Sequence, residues 1–321
     1  MAQASSRGGQ RPANRNRTSS QSAQQRSGQG SNRSGGGSNR KVVAAKKSGT
    51  NRGLLWVTAS FVVVAAIIAT FVIIKANKSS GSAQATDLAP ASVVNAVTNV
   101  PNTLLASATV PTSSIPLPVA VKNTPVLTNN AKPVVLYMGA DYCPYCAAQR
   151  WPLIVALSKF GTFSNLHTTA SSSTDVYPNT QTFSFYGSSY KSNYIDFQAV
   201  EMQTNVASSS GGYTTLQTPN AEQQKLFAKY DQPPYAATAT GIPFIDFGNQ
   251  YIESGPAYSP QILQGLSRAS IAGSLSITGA VTSQAILASA NLIIATVCKI
   301  DHNQPGSVCT SPAVVAAQKA F

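Results

Sequence analysis

The run KPVVLYMGADYCPYCAAQRWPLIVALSKFG, residues 132–161, restricts the fold more than any other part of the chain. Lys132 to Tyr142 is a short apolar stretch opened by Pro133 and closed by Gly139, the pattern of a buried central strand in a mixed sheet. Directly behind it, Cys143 to Gly161 sets Ala147, Trp151, Ile154, Val155, Leu157 and Phe160 at helical spacing. An amphipathic helix stopped by Gly161 is predicted there.

The two cysteines open that helix. Pro144 suits its first turn, because proline lacks a donor that the turn would not use and pre-sets the backbone angle. A helix N-terminus presents unpaired amides and partial positive charge, which favour a thiolate over a thiol. Cys143 is therefore the expected nucleophile, facing solvent. Cys146, one helical turn on and deeper, is the expected resolving thiol. A C-x-x-C by itself also fits a structural disulfide or half of a metal site; strand, motif and helix in succession favour the redox reading.

Charge divides the chain. Residues 1–53 hold 11 of the 23 Lys and Arg and no acid, whereas residues 79–321 hold ten of each sign. The net charge of +13 thus belongs to the tail, and the remainder is balanced as an ordinary domain is. Rich in Ser, Gly, Gln, Asn and Arg, the tail cannot bury enough apolar surface to order itself and is predicted to be disordered. No aromatic residue precedes Trp56, so specific nucleic-acid binding by stacking is not expected.

Leu54 to Ile74 gives 21 residues without a charge. As a helix they span about 30 Å, the thickness of a bilayer core. A single transmembrane helix over 54–74 is predicted, with the basic tail in the cytoplasm and the C-terminal domain on the far side, on the cell membrane. A cleaved signal peptide competes, since Ala83-Gln84-Ala85 has a small-x-small form, but the apolar stretch is long for one. Residues 75–87 read as linker and 88–321 as the domain. Prolines at 90, 101, 111, 116, 118 and 125 give 79–130 a spacer composition, although Ala91 to Val100 could form a short helix.

Thr240 to Phe247 (TGIPFIDF) reads as a loop entering a strand. Between the cysteines and that loop, Thr182 to Tyr186 and Tyr194 to Val200 alternate as strands do, and Asn220 to Tyr230 reads as a helix. Tyr177, Phe183, Phe185, Tyr186, Tyr190 and Tyr194 could line a peptide groove, though such residues more often pack a core. Ser283 to Val297 reads as a buried core helix, too short to span a membrane. Cys298 at its end and Cys309 flank a polar loop. A structural disulfide ranks first for them, an electron relay to the other pair second, and a zinc site with His302 third. His167 is expected at the surface.

The CPYC run and the Gly241-Ile242-Pro243 loop resemble the thioredoxin superfamily. More narrowly, YMGADYCPYCAAQRWPLIVALSKFGTFSNL and TFSFYGSSYKSNYIDFQAVE resemble the domain of unknown function family 929, over residues 88–321. The resemblance implies an α/β, thioredoxin-like fold, a mixed central sheet flanked by helices, with a long insertion over 164–240. It assigns Cys143, Cys146 and Pro243 the nucleophile, resolving and cis-proline positions, and puts Pro144, Tyr145 and Ile242 beside the substrate. Tyr142 departs from the tryptophan usual before the first cysteine. The function expected is thiol-disulfide exchange with cysteine-containing exported proteins, served by a membrane or soluble redox partner, without cofactor or metal. A non-enzymatic interaction module and a copper-delivery protein are the alternatives.

Overall fold

The computed structural model describes residues 87–108, 115–237 and 241–321, all within the compact unit Lys78–Phe321. The basic tail, the apolar span 54–74, linker residues 75–86 and Thr240 lie outside the described residues.

Helices α1 (Ala91–Thr98) and α2 (Asn102–Ala106) come first, then strands β1 (Val119–Ala120), β2 (Thr128–Asn129) and β3 (Lys132–Gly139), and helix α3 (Pro144–Leu157). A strand-rich stretch follows: β4 (Gly161–Ser164), β5 (His167–Ala170), β6 (Gln181–Ser184), β7 (Ser189–Ser192), β8 (Asp196–Glu201), β9 (Gln203–Ala207) and β10 (Tyr213–Thr215). Helix α4 (Ala221–Tyr230), strands β11 (Phe244–Phe247) and β12 (Tyr251–Ser254), and helices α5 (Arg268–Ser274), α6 (Val281–Ile300), α7 (Gly306–Cys309) and α8 (Pro312–Gln318) complete the chain.

The central sheet has six strands and is mixed. β3 lies inside it, antiparallel to β11 on one edge; on the other, β2 pairs at Lys132 and Pro133 and β8 runs parallel from Val134 to Gly139. Side chains of β3 alternate between two apolar layers, as a strand buried on both faces requires. Val135 and Tyr137 join the larger core with α3 and α6; Val134, Leu136 and Met138 join Tyr230, Phe244 and Ile252, against Leu226 and Phe227 of α4. The chain is an α/β protein with helices on both sheet faces. Part of the stretch read as an insertion, β8, is a strand of this sheet, while β5–β6, β4–β7 and β9–β10 form small antiparallel pairs outside it.

Helix α3 departs from the predicted amphipathicity: every residue but Tyr145 is buried. Layers cover it on all sides, so Gln149 and Arg150 go inside with the apolar residues. Pro152 sits within the helix and cannot supply the N–H that Ala148 carbonyl would receive. The Tyr258 hydroxyl donates to that carbonyl instead, at 2.8 Å.

Within the spacer composition of 79–130 the short helix read at Ala91 to Val100 forms as α1, and Val93, Val97 and Leu105 of α1 and α2 are buried in the main core. One other expectation is corrected. The apolar C-terminal run extends further than Ser283 to Val297: α6 has 20 residues and, among those described, is the one helix long and apolar enough to cross a membrane by length and composition. It is nonetheless buried within the domain, packed against α3. Its polar interruptions fasten the N-terminal segment. Asn291 Nδ2 donates to the carbonyls of Leu105 (2.8 Å) and Ala108 (3.0 Å), and Gln284 Nε2 to that of Ser107 (3.2 Å).

Candidate active site

Strand register assembles the site. β11 runs antiparallel to β3 with Phe244 opposite Met138, so Pro243 arrives at the end of β3 that leads into the cysteines. β8 runs parallel to β3 with Glu201 opposite Gly139, and so its last residue reaches the same end. Three segments far apart in sequence thereby meet at one edge.

Cys143 is the N-cap of α3, and its sulfur accepts from the Cys146 N–H at 3.2 Å. The Cys143 thiol also approaches the Ile242 carbonyl at 3.7 Å. Ile242–Pro243 is a cis peptide bond, Ile242 is half-buried and Pro243 is buried. Both cysteines are free thiols. Burial by itself would push the Cys143 thiol up; the Cys146 thiol and amide, the Arg150 charge and the Tyr145 amide outweigh it and hold Cys143 below the ordinary thiol value. Cys146 goes the other way, raised by burial and by its neighbour Cys143. The thiols are thus unequal, as a nucleophile and a reserve thiol need to be.

The expectation that Cys143 faces solvent is corrected. It is 4 % exposed and Cys146 is 0 % exposed. The Ile242 carbonyl lies against the first sulfur, and the second belongs to the buried body of α3. Pro144 is buried at the first helical position and Tyr145 stands out at 37 % exposure.

Behind the dithiol lies a charge cluster that the sequence did not disclose. Arg150, fully buried, donates through Nε to Glu201 Oε1 (2.8 Å) and through Nη2 to Glu201 Oε2 (2.6 Å) and to the Ala140 carbonyl (2.8 Å). Asp141 Oδ1 lies 3.7 Å from Nη2. Burial, reinforced by Glu201 and opposed by Arg150 and the Ser184 hydroxyl, raises the Asp141 carboxyl to about 7. A second buried acid, Glu253, accepts from Gln149 Nε2 at 2.8 Å and is lifted by burial to about 7. Tyr137 points at the same region, and Gly139, two residues along the same strand face, leaves it room: a Cβ there would meet the Tyr137 hydroxyl at 2.2 Å. Spacing offered one signal for this cluster, since Arg150 follows Cys146 by four residues and so shares its helix face.

The aromatic residues separate. Phe183 and Phe185 are buried, against Trp151 and Tyr137 respectively, and Tyr190 tilts onto Phe163. Tyr177 reaches the motif, edge-on to Tyr145. Tyr213, which no sequence pattern singled out, stacks on Tyr142.

Cys298 and Cys309 form a disulfide, which takes both sulfurs that a zinc site with His302 would have used. Among the described residues no group of three His, Cys, Asp or Glu side chains is placed to hold a metal ion. His167 is half-buried rather than on the surface: it lies in β5 opposite Ser184, with Gly187 under its ring.

Residues 118–299 match the domain of unknown function family DUF929. The chain belongs to that family. The match is narrower than 88–321; it runs from β1 to the end of α6 and takes in both site cysteines, Pro243 and Cys298, leaving Cys309 outside. No curated protein and no solved structure matches the chain.

Proposed function

We propose that this chain is a membrane-anchored thiol-disulfide oxidoreductase with a thioredoxin-like domain, acting on cysteines of exported proteins. The observation that carries the reading is the asymmetry of the pair: Cys143 capped by an amide at 3.2 Å and held acidic, Cys146 buried beneath it and held basic. The order β3, α3, β8, α4, β11, β12, α6, with Pro243 immediately before β11, agrees with a thioredoxin-like arrangement. The Cys298–Cys309 disulfide agrees with an oxidising compartment beyond the membrane that residues 54–74 would span.

In the reductive direction the Cys143 thiolate attacks one sulfur of a substrate disulfide, and the displaced substrate sulfur leaves as a thiolate that takes a proton from water. Cys146 loses its proton to solvent, attacks the Cys143 sulfur, releases the second substrate thiol and closes the Cys143–Cys146 bond. Two electrons pass from the dithiol to the substrate, and the reverse sequence oxidises a substrate dithiol.

The low exposure of Cys143 favours a second reading, a non-enzymatic interaction module. Copper delivery would recruit a further soft or imidazole ligand near the thiols. One variant tests the choice. Cys146→Ser removes the resolving step, and its membranes should accumulate mixed disulfides between Cys143 and exported proteins, released by reductant and lost in a Cys143→Ser, Cys146→Ser double variant. A complete lack of such species, with a pair that glutathione buffers neither oxidise nor reduce, leaves the interaction module.

A further inference from the structure

Aromatic residues from two separate segments border the dithiol. The Tyr142 ring stacks on Tyr213 of β10, centroids 4.1 Å apart and planes 8° apart, and Tyr145 meets Tyr177 edge-on at 6.0 Å. Both partners come from the stretch between α3 and β11. Backbone hydrogen bonds fasten that stretch to the motif: Ser172 N–H donates to the Tyr142 carbonyl, and Asp141 N–H to the Gln203 carbonyl, each at 2.8 Å. The rings are therefore fixed relative to the sulfurs.

Among uncharged Ser and Thr residues, this border exposes two large apolar side chains. Val176, next to Tyr177, is 63 % exposed, and Tyr145 is the exposed member of its own pair. It is also short of charge. Segments 140–147, 171–178, 203–215 and 241–243 contain no Lys, Arg or His; their charged residues are Asp141, which is buried, and Asp175.

We propose that this border makes the exchange site selective for polypeptide cysteines flanked by apolar or aromatic residues, and against glutathione, with Tyr142, Tyr145, Val176, Tyr177 and Tyr213 setting the choice. The inference rests on the thiol-disulfide reading above and adds to it the chemistry of the substrate. Glutathione carries two carboxylates and one ammonium at neutral pH. A site that binds it well supplies cationic or forked donors for those carboxylates. The border offers none, and Asp175 repels a net anion. A leucine or phenylalanine beside a substrate cysteine, in contrast, leaves water against Val176 and the tyrosine rings, and docks without desolvating a charge.

The test is a single-turnover experiment with the full-length protein in detergent, its Cys143–Cys146 pair reduced beforehand, so that the protein itself supplies both electrons. Four disulfides are compared: hydroxyethyl disulfide, which is small and neutral; glutathione disulfide; a peptide disulfide with Phe and Leu beside the cysteine; and the same peptide with Glu in their place. Each rate is divided by that with hydroxyethyl disulfide. The apolar peptide should exceed both the acidic peptide and glutathione disulfide by about tenfold or more, the scale of one well-placed apolar contact. Val176→Asp, at an exposed position where folding is not at stake, and Tyr213→Ala should each shrink that ratio by about threefold or more. Equal normalised rates, preference for glutathione disulfide, or a ratio that neither variant moves overturns the inference while leaving dithiol exchange standing. Failure to reduce even hydroxyethyl disulfide overturns the thiol-disulfide reading, and the substrate preference with it.

Discussion

The two cysteine pairs occupy opposite ends of helices and have opposite characters. Cys143 and Cys146 lie at the start of α3, where amide donors favour a thiolate, and both are free. Cys298 lies in the last turn of α6, where carbonyl ends disfavour a thiolate, and it is bonded to Cys309, 11 residues on. The free pair sits at an amide end and the bonded pair at a carbonyl end. The first pair is held in place by a buried ion cluster and a register shared by three strands, whereas the second is itself the fastening.

The largest difference between the regions should emerge when each loses its support. Arg150→Met leaves Glu201 and Asp141 as uncompensated buried acids, and about 3–5 kcal/mol of stability should be lost in urea unfolding. A loss under about 1 kcal/mol would mean that the cluster is not a unit. Removing the other fastening with Cys298→Ala and Cys309→Ala together should cost about 2–4 kcal/mol, while Cys143 still reacts with a small disulfide. Were exchange abolished in that folded variant, the bridge would be a relay and not a staple.

A smaller effect separates the regions by pH. Asp141 and Glu253 titrate near 7 when folded, well above the ordinary carboxyl range of the unfolded chain. The folded state then binds more protons between those values, so their contribution to stability is fully present below about pH 4 and is lost as pH rises towards 7. The urea midpoint should fall between pH 5 and pH 7.5, and Asp141→Asn with Glu253→Gln should flatten that slope. The bridged pair itself does not titrate, and its loop adds one acid to the same slope, Asp301, which burial raises to about 6.

The site was legible in the sequence where it is local. The strand before Cys143, the capping turn and the Pro243 loop are each written in a few consecutive residues, and so is the 298–309 loop. What could not be read depends on residues brought together by register. Arg150 and Gln149 look like the polar face of a surface helix until β8, β12 and α6 close around α3. Tyr213 gains its partner only because the β9–β10 hairpin folds back over Tyr142. The segment before β1 shows its short helix beside the prolines of a spacer, but not where that helix docks, because the atoms that hold the segment, on Gln284 and Asn291, lie at the other end of the chain.

The position of Glu201 limits how the protein can be shortened. Cutting the stretch between α3 and β11 down to a simple connector would do more than remove ornament: it would strip β3 of its parallel neighbour and take from the buried Arg150 guanidinium its nearer counter-ion, leaving only Asp141 at 3.7 Å. A minimal version of this protein must therefore keep β8, and any trimming has to stop at the small strand pairs on either side of it.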